Sequence, residues 1–316
     1  MEIMIDNTFI CFFDLLGTQA LVKTSPRAYI ETINTFAQRI SIAISYYEDI
    51  QAYVFSDSVY LESNSLSSLC ELMSKLRSDL ISEEIFFNAA ICRGSLEIKK
   101  NKFSKLGYFF DGQDAVKVYR EQTSFSGIGV HISDELASEL KDKVVRSTYI
   151  SLSQKQDYAF KDFYDLKYSE HMQDVFDRVL SAFMNVYLDN KRASRYYFSI
   201  ICTMLKSILL DGGMITQQID SCVKALRTID DCDLRLAMSL KLFEIACNIN
   251  ENDDQDFAVD RFLSDIRPIF DMFWKNKCFS GLGELSKYDK QVILPVLRKP
   301  LALLVIEKLS EEQNDK

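Results

Sequence analysis

The stretch TFICFFDLLGT, residues 8–18, decides the first half of the fold because it predicts a strand that ends in a turn. Aromatic and β-branched residues dominate it, as in strands that are buried on both faces. Asp14 is its only charged residue, and Gly17 follows close behind. A buried carboxylate is costly unless a partner compensates its charge. Asp14 is therefore a candidate functional residue.

A second strand region, AYVFSDSVYLE at residues 52–62, is interrupted by Ser56, Asp57 and Ser58. If the two regions are neighbours in one sheet, the carboxylates of Asp14 and Asp57 can converge. Two such carboxylates repel each other unless a divalent cation neutralises them, and magnesium favours one or two carboxylates plus substrate phosphates. The pair predicts a metal site that binds a nucleoside triphosphate. The alternative is that both aspartates only form turns, with side chains bonded to the local backbone.

The two halves of the chain differ in pattern. Up to about residue 151, short β-like runs alternate with helix-like segments, which predicts an α+β class with a sheet rich in antiparallel strands. Ser133 is predicted to cap the short helix DELASEL. Beyond about residue 164, apolar residues recur at helical spacing, which predicts an all-α region. We predict two domains, residues 1–160 and residues 161–316.

Composition narrows the class of protein. With 47% hydrophobic and 26% charged residues, the chain is typical of a globular protein, and its longest apolar stretch is too short for a membrane span. The eight cysteines form no CxxC motif, which predicts reduced core residues in a cytoplasmic protein. Two histidines leave little for a histidine-based zinc site or a catalytic triad. The net charge of −9 argues against direct binding of duplex nucleic acid.

Five motifs follow one another along residues 8–140: FFDLLGT, VFSDSVYLE, ICRGSL, FFDGQDAVKVYRE and GIGVHISDELA. In the fourth, Arg120 lies eight residues after Gly112. Their order and spacing resemble the class III nucleotidyl cyclases, which implies a ferredoxin-like palm followed here by an all-α domain. The FDxLG and SDS forms are most similar to divergent bacterial stand-alone cyclases, including the pyrimidine cyclases of Pycsar antiphage defence, which make cyclic CMP or cyclic UMP.

The resemblance implies a role for each matching position. Asp14 and Asp57 would hold two Mg²⁺ or Mn²⁺ ions, and the carbonyl of Leu15 would be a further metal ligand. Arg120 would neutralise charge on the transferring phosphoryl group, and in class III enzymes it comes from the partner protomer, which implies a homodimer with shared active sites. The residues implied to contact the substrate phosphates are Leu16, Gly17 and Thr18, through their amides, and Arg93.

The chain departs from the family pattern at positions implied to contact the base and the ribose of the substrate. Purine cyclases commonly place Lys and Asp where this chain has Tyr53 and Phe109. Tyr53 and Phe109 are therefore the predicted base-binding residues. A tyrosine can stack on a base and donate one hydrogen bond, so a smaller base, or a different reading geometry, fits better than adenine or guanine read in the usual way. The helix of the family also carries Asn four residues before its Arg, a position that Val116 occupies here.

These expectations favour a metal-dependent cyclase that converts CTP or UTP to a 3′,5′-cyclic nucleotide and pyrophosphate, a second messenger in antiphage defence. One alternative is a palm-type polymerase that makes oligonucleotide second messengers, although the turn around Asp57 lacks the Gly-Gly of those enzymes. The other is a non-catalytic cyclase-like module for dimerisation or nucleotide sensing, an alternative that Val116 keeps open. The sequence does not decide the base, the activating signal or the role of the helical half.

Overall fold

The computed structural model of the chain describes residues 8–100, 108–152, 158–168, 172–189, 193–213 and 215–246. These residues divide into two compact units, one drawn from Met1–Tyr149 with Lys161–Ala182 and the other from Ile150–Phe160 with Phe183–Lys316. The domain boundary predicted between residues 160 and 161 stays a prediction.

Nine strands and nine α-helices make up the described part of the chain. The strands are β1 Phe9–Leu15, β2 Ile50–Phe55, β3 Ser58–Ser63, β4 Phe87–Arg93, β5 Glu97–Lys100, β6 Tyr108–Asp111, β7 Gly129–Ile132, β8 Val144–Leu152 and β9 Tyr158–Leu166. The helices are α1 Thr18–Thr24, α2 Pro26–Ile44, α3 Leu66–Ser82, α4 Gln113–Ser124, α5 Asp134–Leu140, α6 Met172–Asp189, α7 Ser194–Leu210, α8 Thr216–Leu226 and α9 Cys232–Ala246.

The main sheet has the strand order β2–β3–β1–β4–β7–β9–β8, and β5 pairs with β6 separately. β1 pairs antiparallel with both β3 and β4, and β2 forms an antiparallel hairpin with β3. With α2 between β1 and β2 and α3 between β3 and β4, this part of the chain is the βαββαβ arrangement of ferredoxin-like folds. The predicted α+β class and ferredoxin-like palm are confirmed.

Alternation along β1 sends its side chains to two different layers. Phe13 belongs to a buried cluster with residues of α2 and α3, including Phe36 and Met73. Phe12 belongs to the opposite cluster, which Val118 of α4 covers in part. Asp14 has the same parity as Phe12 and therefore lies on the α4 side of the sheet.

The last hairpin of the sheet was not predicted from the sequence. The helical pattern was expected to begin at about residue 164, whereas β9 continues to Leu166. Asp165 is fully buried within this strand because its carboxylate pairs with Arg77 of α3 at 3.0 Å. A charged residue in a buried strand position obscures the apolar alternation that predicts a strand, and its partner is remote in sequence.

From Met172 to Ala246 every described element is a helix, as predicted for the second half. Among the described helices, none combines the length and the hydropathy needed to span a membrane. The described cysteines that carry no disulfide are all buried, as expected for core thiols: Cys11, Cys70, Cys92, Cys202 and Cys222.

Candidate active site

The two predicted metal-holding aspartates lie at the same end of adjacent strands. Asp14 pairs with Ser58 across the β1–β3 ladder, and Asp57 directly precedes Ser58 in the turn of the β2–β3 hairpin. The amide of Leu15 donates a hydrogen bond to the carbonyl of Asp57 at 2.9 Å, which joins the turn to the end of β1. The fold therefore brings together the two carboxylates that are 43 positions apart in the chain.

Each carboxylate is held by one hydroxyl group. Ser58 Oγ donates to Asp14 Oδ1 at 2.6 Å, and Thr18 Oγ1 donates to Asp57 Oδ2 at 2.7 Å. Within the part of the chain that the structure describes, no group donates a hydrogen bond to Oδ2 of Asp14 or to Oδ1 of Asp57. Each aspartate thus keeps one carboxylate oxygen for a ligand.

The electrostatics of the pair disfavour two bare negative charges. Burial raises the pKa of Asp14 and the nearby charge of Asp57 raises it further, whereas the hydrogen bond from Ser58 lowers it. The net shift in the pKa of Asp14 is upward. A bound divalent cation reverses this balance because it stabilises the ionised carboxylates.

The hairpin turn that carries Asp57 is fixed from a neighbouring helix. Ser56 adopts a positive φ of 55°, which is uncommon for a residue with a side chain. Its Oγ lies 2.8 Å from the hydroxyl of Tyr29 on α2. This contact ties the turn to α2 and thereby limits the positions that the Asp57 carboxylate can take.

The predicted phosphate-binding turn is only partly available. Gly17 has a φ of 82° and the chain turns there from β1 into α1, so a side chain at this position would strain the backbone. The amide of Leu16, however, donates to the carbonyl of Phe86 at 2.9 Å. This donor is thus already used between strands in the structure, and the role of the Leu16 amide in phosphate binding stays a prediction.

Arg93 lies far from the two carboxylates. In the β1–β4 ladder Asp14 pairs with Asn88, whereas Arg93 pairs with Phe9 at the opposite end of β1. The two ends are about 17 Å apart at the usual rise of a strand. The guanidinium of Arg93 forms an ion pair with Glu139 and lies over the ring of Phe9. The structure does not bring Arg93 together with the carboxylates.

Arg120 lies on the exposed side of α4, and no described residue forms a hydrogen bond or an ion pair with its guanidinium. Val116 is on the same helix and is 48% exposed. The side chains of Ala115 and Val118 are instead buried against the sheet. The structure thus separates Arg120 from the core and presents it outward.

The predicted base-binding residues lie on two different sheets. Tyr53 is on β2 opposite Tyr60, partly buried, and its hydroxyl donates to Oε1 of Gln51 at 2.8 Å. Phe109 is on β6 in the separate two-stranded sheet, and its side chain lies outside the described residues. Of the two residues, Tyr53 alone lies on the main sheet, on the strand that leads into the turn with Asp57.

Sequence reasoning missed the hydroxyls and the aromatic surface around the carboxylates. Ser58 and the hydroxyl of Thr18 were not assigned to Asp14 and Asp57, although both residues lie within the motifs VFSDSVYLE and FFDLLGT. Phe12 lies 4.6 Å from Tyr60 and 5.5 Å from Tyr119 between ring centroids, which forms an aromatic surface on the Asp14 side of the sheet. The pairing of Phe12 with Tyr60 follows from the β1–β3 register, which a single motif does not contain.

The residues present fit a magnesium-type ion that substrate phosphates help to hold. Within the described ranges, no group of three or more His, Cys, Asp or Glu side chains could hold a metal by itself. Asp14 and Asp57 supply two carboxylates, each with an oxygen that accepts no hydrogen bond from the described residues. Mg²⁺ commonly uses one or two carboxylates and completes its shell with phosphate and water.

Replacing Asp14 with asparagine should change how stability depends on pH. The folded state raises the pKa of Asp14 above its ordinary value of 3.8. Protonation of Asp14 therefore stabilises the folded state fully below pH 3.8, and this contribution is lost as the pH rises through the raised pKa. The substituted amide keeps an oxygen for Ser58 but does not ionise. We therefore expect the melting temperature of Asp14→Asn to rise relative to wild type as pH increases.

Thermal unfolding of both proteins between about pH 3.5 and 7, in a metal chelator, measures this difference. Asp142→Asn, at an exposed position, is the matched control and should follow the wild-type curve. A difference between Asp14→Asn and wild type that stays constant across this range contradicts the expectation.

No family model matches the chain, and no curated protein matches it significantly. Solved structures similar to it include the guanylyl cyclase Cya2, with 12% identity, a TM-score of 0.38, and coverage of 52% of this chain and 93% of that one. The adenylate cyclases from Trypanosoma brucei in their monomeric state share 14% identity with this chain, with a TM-score of 0.38 and coverage of 50% of this chain and 88% of that one.

The adenylyl cyclase CyaB from P. aeruginosa is similar to the same extent, with 14% identity, a TM-score of 0.37, and coverage of 52% of this chain and 95% of that one. These three structural neighbours are guanylyl and adenylyl cyclases by name.

Proposed function

We propose that the chain is a metal-dependent nucleotidyl cyclase. The observation that carries the proposal is the placement of Asp14 beside Asp57, each held by one hydroxyl and each with one carboxylate oxygen that no described residue uses. This pair adjoins the turn at Gly17, where the backbone is open to a close approach by phosphate. The fold thus places a pair of carboxylates next to an open backbone turn, and together these would bind a metal–triphosphate complex.

The metal and phosphate sites follow from these residues. Asp14, Asp57 and the carbonyl of Leu15 would hold two Mg²⁺ or Mn²⁺ ions, which supply Lewis-acid stabilisation of the charge on the triphosphate. The amides of Gly17 and Thr18 would face the phosphates. The hydroxyls of Ser58 and Thr18 orient the carboxylates, so that little reorganisation is needed when substrate binds.

The proposed reaction is an internal displacement. The ribose 3′-oxygen forms a bond to the α-phosphorus, the bond from the α-phosphorus to the bridging oxygen breaks, and pyrophosphate leaves. The 3′-hydroxyl proton passes to solvent. Substrate positioning and stabilisation of charge on the phosphoryl group are the contributions that such a transfer requires of the protein.

Arg120 supports a shared active site in a homodimer. Its guanidinium is exposed on α4 and has no partner among the described residues, so it can reach a substrate that a second copy holds. Arginine suits this role because its planar guanidinium pairs with phosphate oxygens in a bidentate manner. The exposed side chains of Tyr119 and Val116 accompany it on the same helix.

We infer a pyrimidine triphosphate as substrate, which makes cyclic CMP or cyclic UMP the products. Tyr53 lies beside Gln51 on β2 and next to the aromatic surface of Phe12 and Tyr60, and this arrangement offers stacking and few hydrogen bonds to a small base. A cytoplasmic location and a second-messenger role in antiphage defence extend the proposal, and both rest on the motif resemblance.

The test is incubation of the full chain with ATP, GTP, CTP and UTP and Mn²⁺, followed by mass spectrometry of the products. Cyclic CMP or cyclic UMP with equimolar pyrophosphate is the expected result. Larger, phosphodiester-linked products would instead support the palm-polymerase alternative. No nucleotide product from a folded chain that still binds a nucleoside triphosphate would support the non-catalytic module and overturn the proposal.

A further inference from the structure

A cavity of about 430 Å³ lies beside the C-terminal half of α4, and neither Asp14 nor Asp57 lines it. Its walls come from α4, β7, β8, β9 and the beginning of α5, all within the first compact unit. The volume is in the range of small-molecule sites in proteins. The cavity is therefore large enough for a ligand of about ten to fifteen non-hydrogen atoms.

Aromatic rings form the apolar wall of the cavity. Phe125 stacks on the imidazole of His131, with ring centroids 5.9 Å apart and planes inclined by 23°. Phe163 lies 4.3 Å from Phe125, and Tyr149 lies 5.2 Å from it. A wall of this kind attracts flat or cationic groups through the faces of its rings.

Two buried polar atoms at the cavity have no hydrogen-bond partner among the described residues: Nδ1 of His131 and Oγ of Ser133. Ser133 is only 9% exposed, and it occupies the position before α5 without forming the capping bond that the sequence predicted. Because both atoms are buried, they lower the local stability of the cavity wall and are out of reach of a ligand.

The neutral imidazole of His131 has one acceptor nitrogen. Burial lowers the pKa of His131, while Glu121 on α4 and Asp134 at the start of α5 oppose this shift. Nε2 of the ring faces Glu121 Oε2 at 3.5 Å, so we assign the single proton of the neutral ring to Nε2. Nδ1 then carries a lone pair and requires a donor.

The charge of the lining is negative. Lys117 supplies one ammonium, which lies 3.6 Å from Glu135, and Arg146 lies 3.3 Å from Asp162. The aromatic wall and the carboxylates together favour an organic cation as the ligand. The carboxylates that line the cavity are those of Glu121, Asp134, Glu135 and Asp162.

We propose that this cavity binds a small organic cation with N–H donors, of the amine, amidine or guanidine class. Its apolar part would lie against Phe125 and Phe163, and its charged N–H groups would donate to the carboxylate of Glu121. The proposal does not depend on the cyclase function, because the cavity shares none of the metal-holding or phosphate-binding residues.

The test uses benzamidine, phenethylamine and agmatine as cationic probes, and benzamide as the neutral isostere of benzamidine. The chain has only two histidines, so the imidazole signals in a ¹H–¹³C NMR spectrum of the full chain are readily assigned with a His171→Gln variant. At least one cation should shift the His131 signals at millimolar concentration and move their titration to lower pH, because a positive charge beside the ring disfavours the imidazolium. Benzamide should have little effect.

Two variants separate binding from folding. Glu121→Gln should weaken the affinity for the cation at least about tenfold, which is the usual effect of removing a charge-assisted hydrogen bond. Ser133→Ala should leave the affinity unchanged and the melting temperature unchanged or raised, since its hydroxyl is buried and has no partner to lose among the described residues. Glu71→Gln, at an exposed position on α3, is the matched control and should bind as wild type does.

Three results overturn the proposal. They are the failure of every cation to shift the His131 signals, equal shifts with benzamide and benzamidine, and unchanged affinity in Glu121→Gln.

Discussion

Replacing Asp57 with asparagine is expected to reduce the formation of cyclic nucleotide by at least about 10³-fold, because the loss of several kcal/mol of charge stabilisation at the phosphates corresponds to that factor. The substituted amide keeps an oxygen that can accept the hydrogen bond of Thr18, so the turn is preserved while one negative charge is removed. Asp14→Asn is expected to act in the same way, because its oxygen still accepts from Ser58.

Initial rates with Mn²⁺ and the preferred triphosphate, measured by mass spectrometry, give the size of this loss. Asp142→Asn, whose side chain is exposed, serves as the matched control and should keep the wild-type rate. Both active-site variants should also lose the thermal stabilisation that Mn²⁺ and nucleotide together give the wild type. Retention of more than a tenth of the activity in Asp57→Asn, in a chain that melts as wild type does, is incompatible with the proposed metal site.

Replacing Arg77 with methionine should destabilise the first compact unit by about 3–5 kcal/mol, the usual cost of leaving a buried charge without its partner. Arg77 is among the largest fully buried side chains of the described residues. Its guanidinium donates to Asp165 Oδ1 at 3.0 Å and to the carbonyls of Leu166 and Lys167, and it lies 3.6 Å from the ring centroid of Tyr168. The substituted thioether side chain fills part of the volume but leaves the carboxylate of Asp165 buried and without its guanidinium.

Urea unfolding followed by far-ultraviolet circular dichroism measures this loss. Arg27→Met removes an exposed pair with Glu31 on α2 and should cost under about 1 kcal/mol. The double variant Arg77→Met with Asp165→Asn should recover part of the stability, because the unpaired charge is then absent. If Arg77→Met costs no more than Arg27→Met, the buried pair is not the interaction that holds β9 against α3.

The buried pair also explains a constraint on β7. Asp165 Oδ1 accepts a hydrogen bond from the amide of Val130 at 2.8 Å, in addition to the bond from Arg77. A Cβ atom at Gly129 would lie 2.6 Å from Oδ2 of the same carboxylate. One ionised group thus joins a helix and two strands, and glycine is the residue that leaves room for it.

Much of the candidate site could be predicted from local pattern. An apolar strand interrupted by one carboxylate, followed by glycine, singled out Asp14 and Gly17, and the SDS turn singled out Asp57. These signals are local because the cost of burying a charge and the conformational freedom of glycine belong to single positions. The α+β class and the helical second half followed from the periods of hydrophobicity along the chain.

The partners of these residues could not be predicted in the same way. The sequence assigned phosphate contacts to Arg93 and to the amide of Leu16, and the structure places the first at the far end of β1 and uses the second to bond Phe86. Both outcomes depend on the antiparallel pairing of β1 with β4. Strand direction and register are set by contacts between remote segments, so a motif of a few residues does not contain them.

By itself, then, the sequence determined which residues are candidates for the chemistry: the two aspartates, the glycine turn and the arginine on α4. Only the tertiary structure decided what holds them: Ser58 on Asp14 through the β1–β3 register, and Thr18 on Asp57 across 39 positions of chain. It alone also decided the pairing of Arg77 with Asp165 across 88 positions. The physical reason is that burial and backbone preference are properties of local sequence, whereas a hydrogen bond between distant residues exists only after the chain has closed the loop between them.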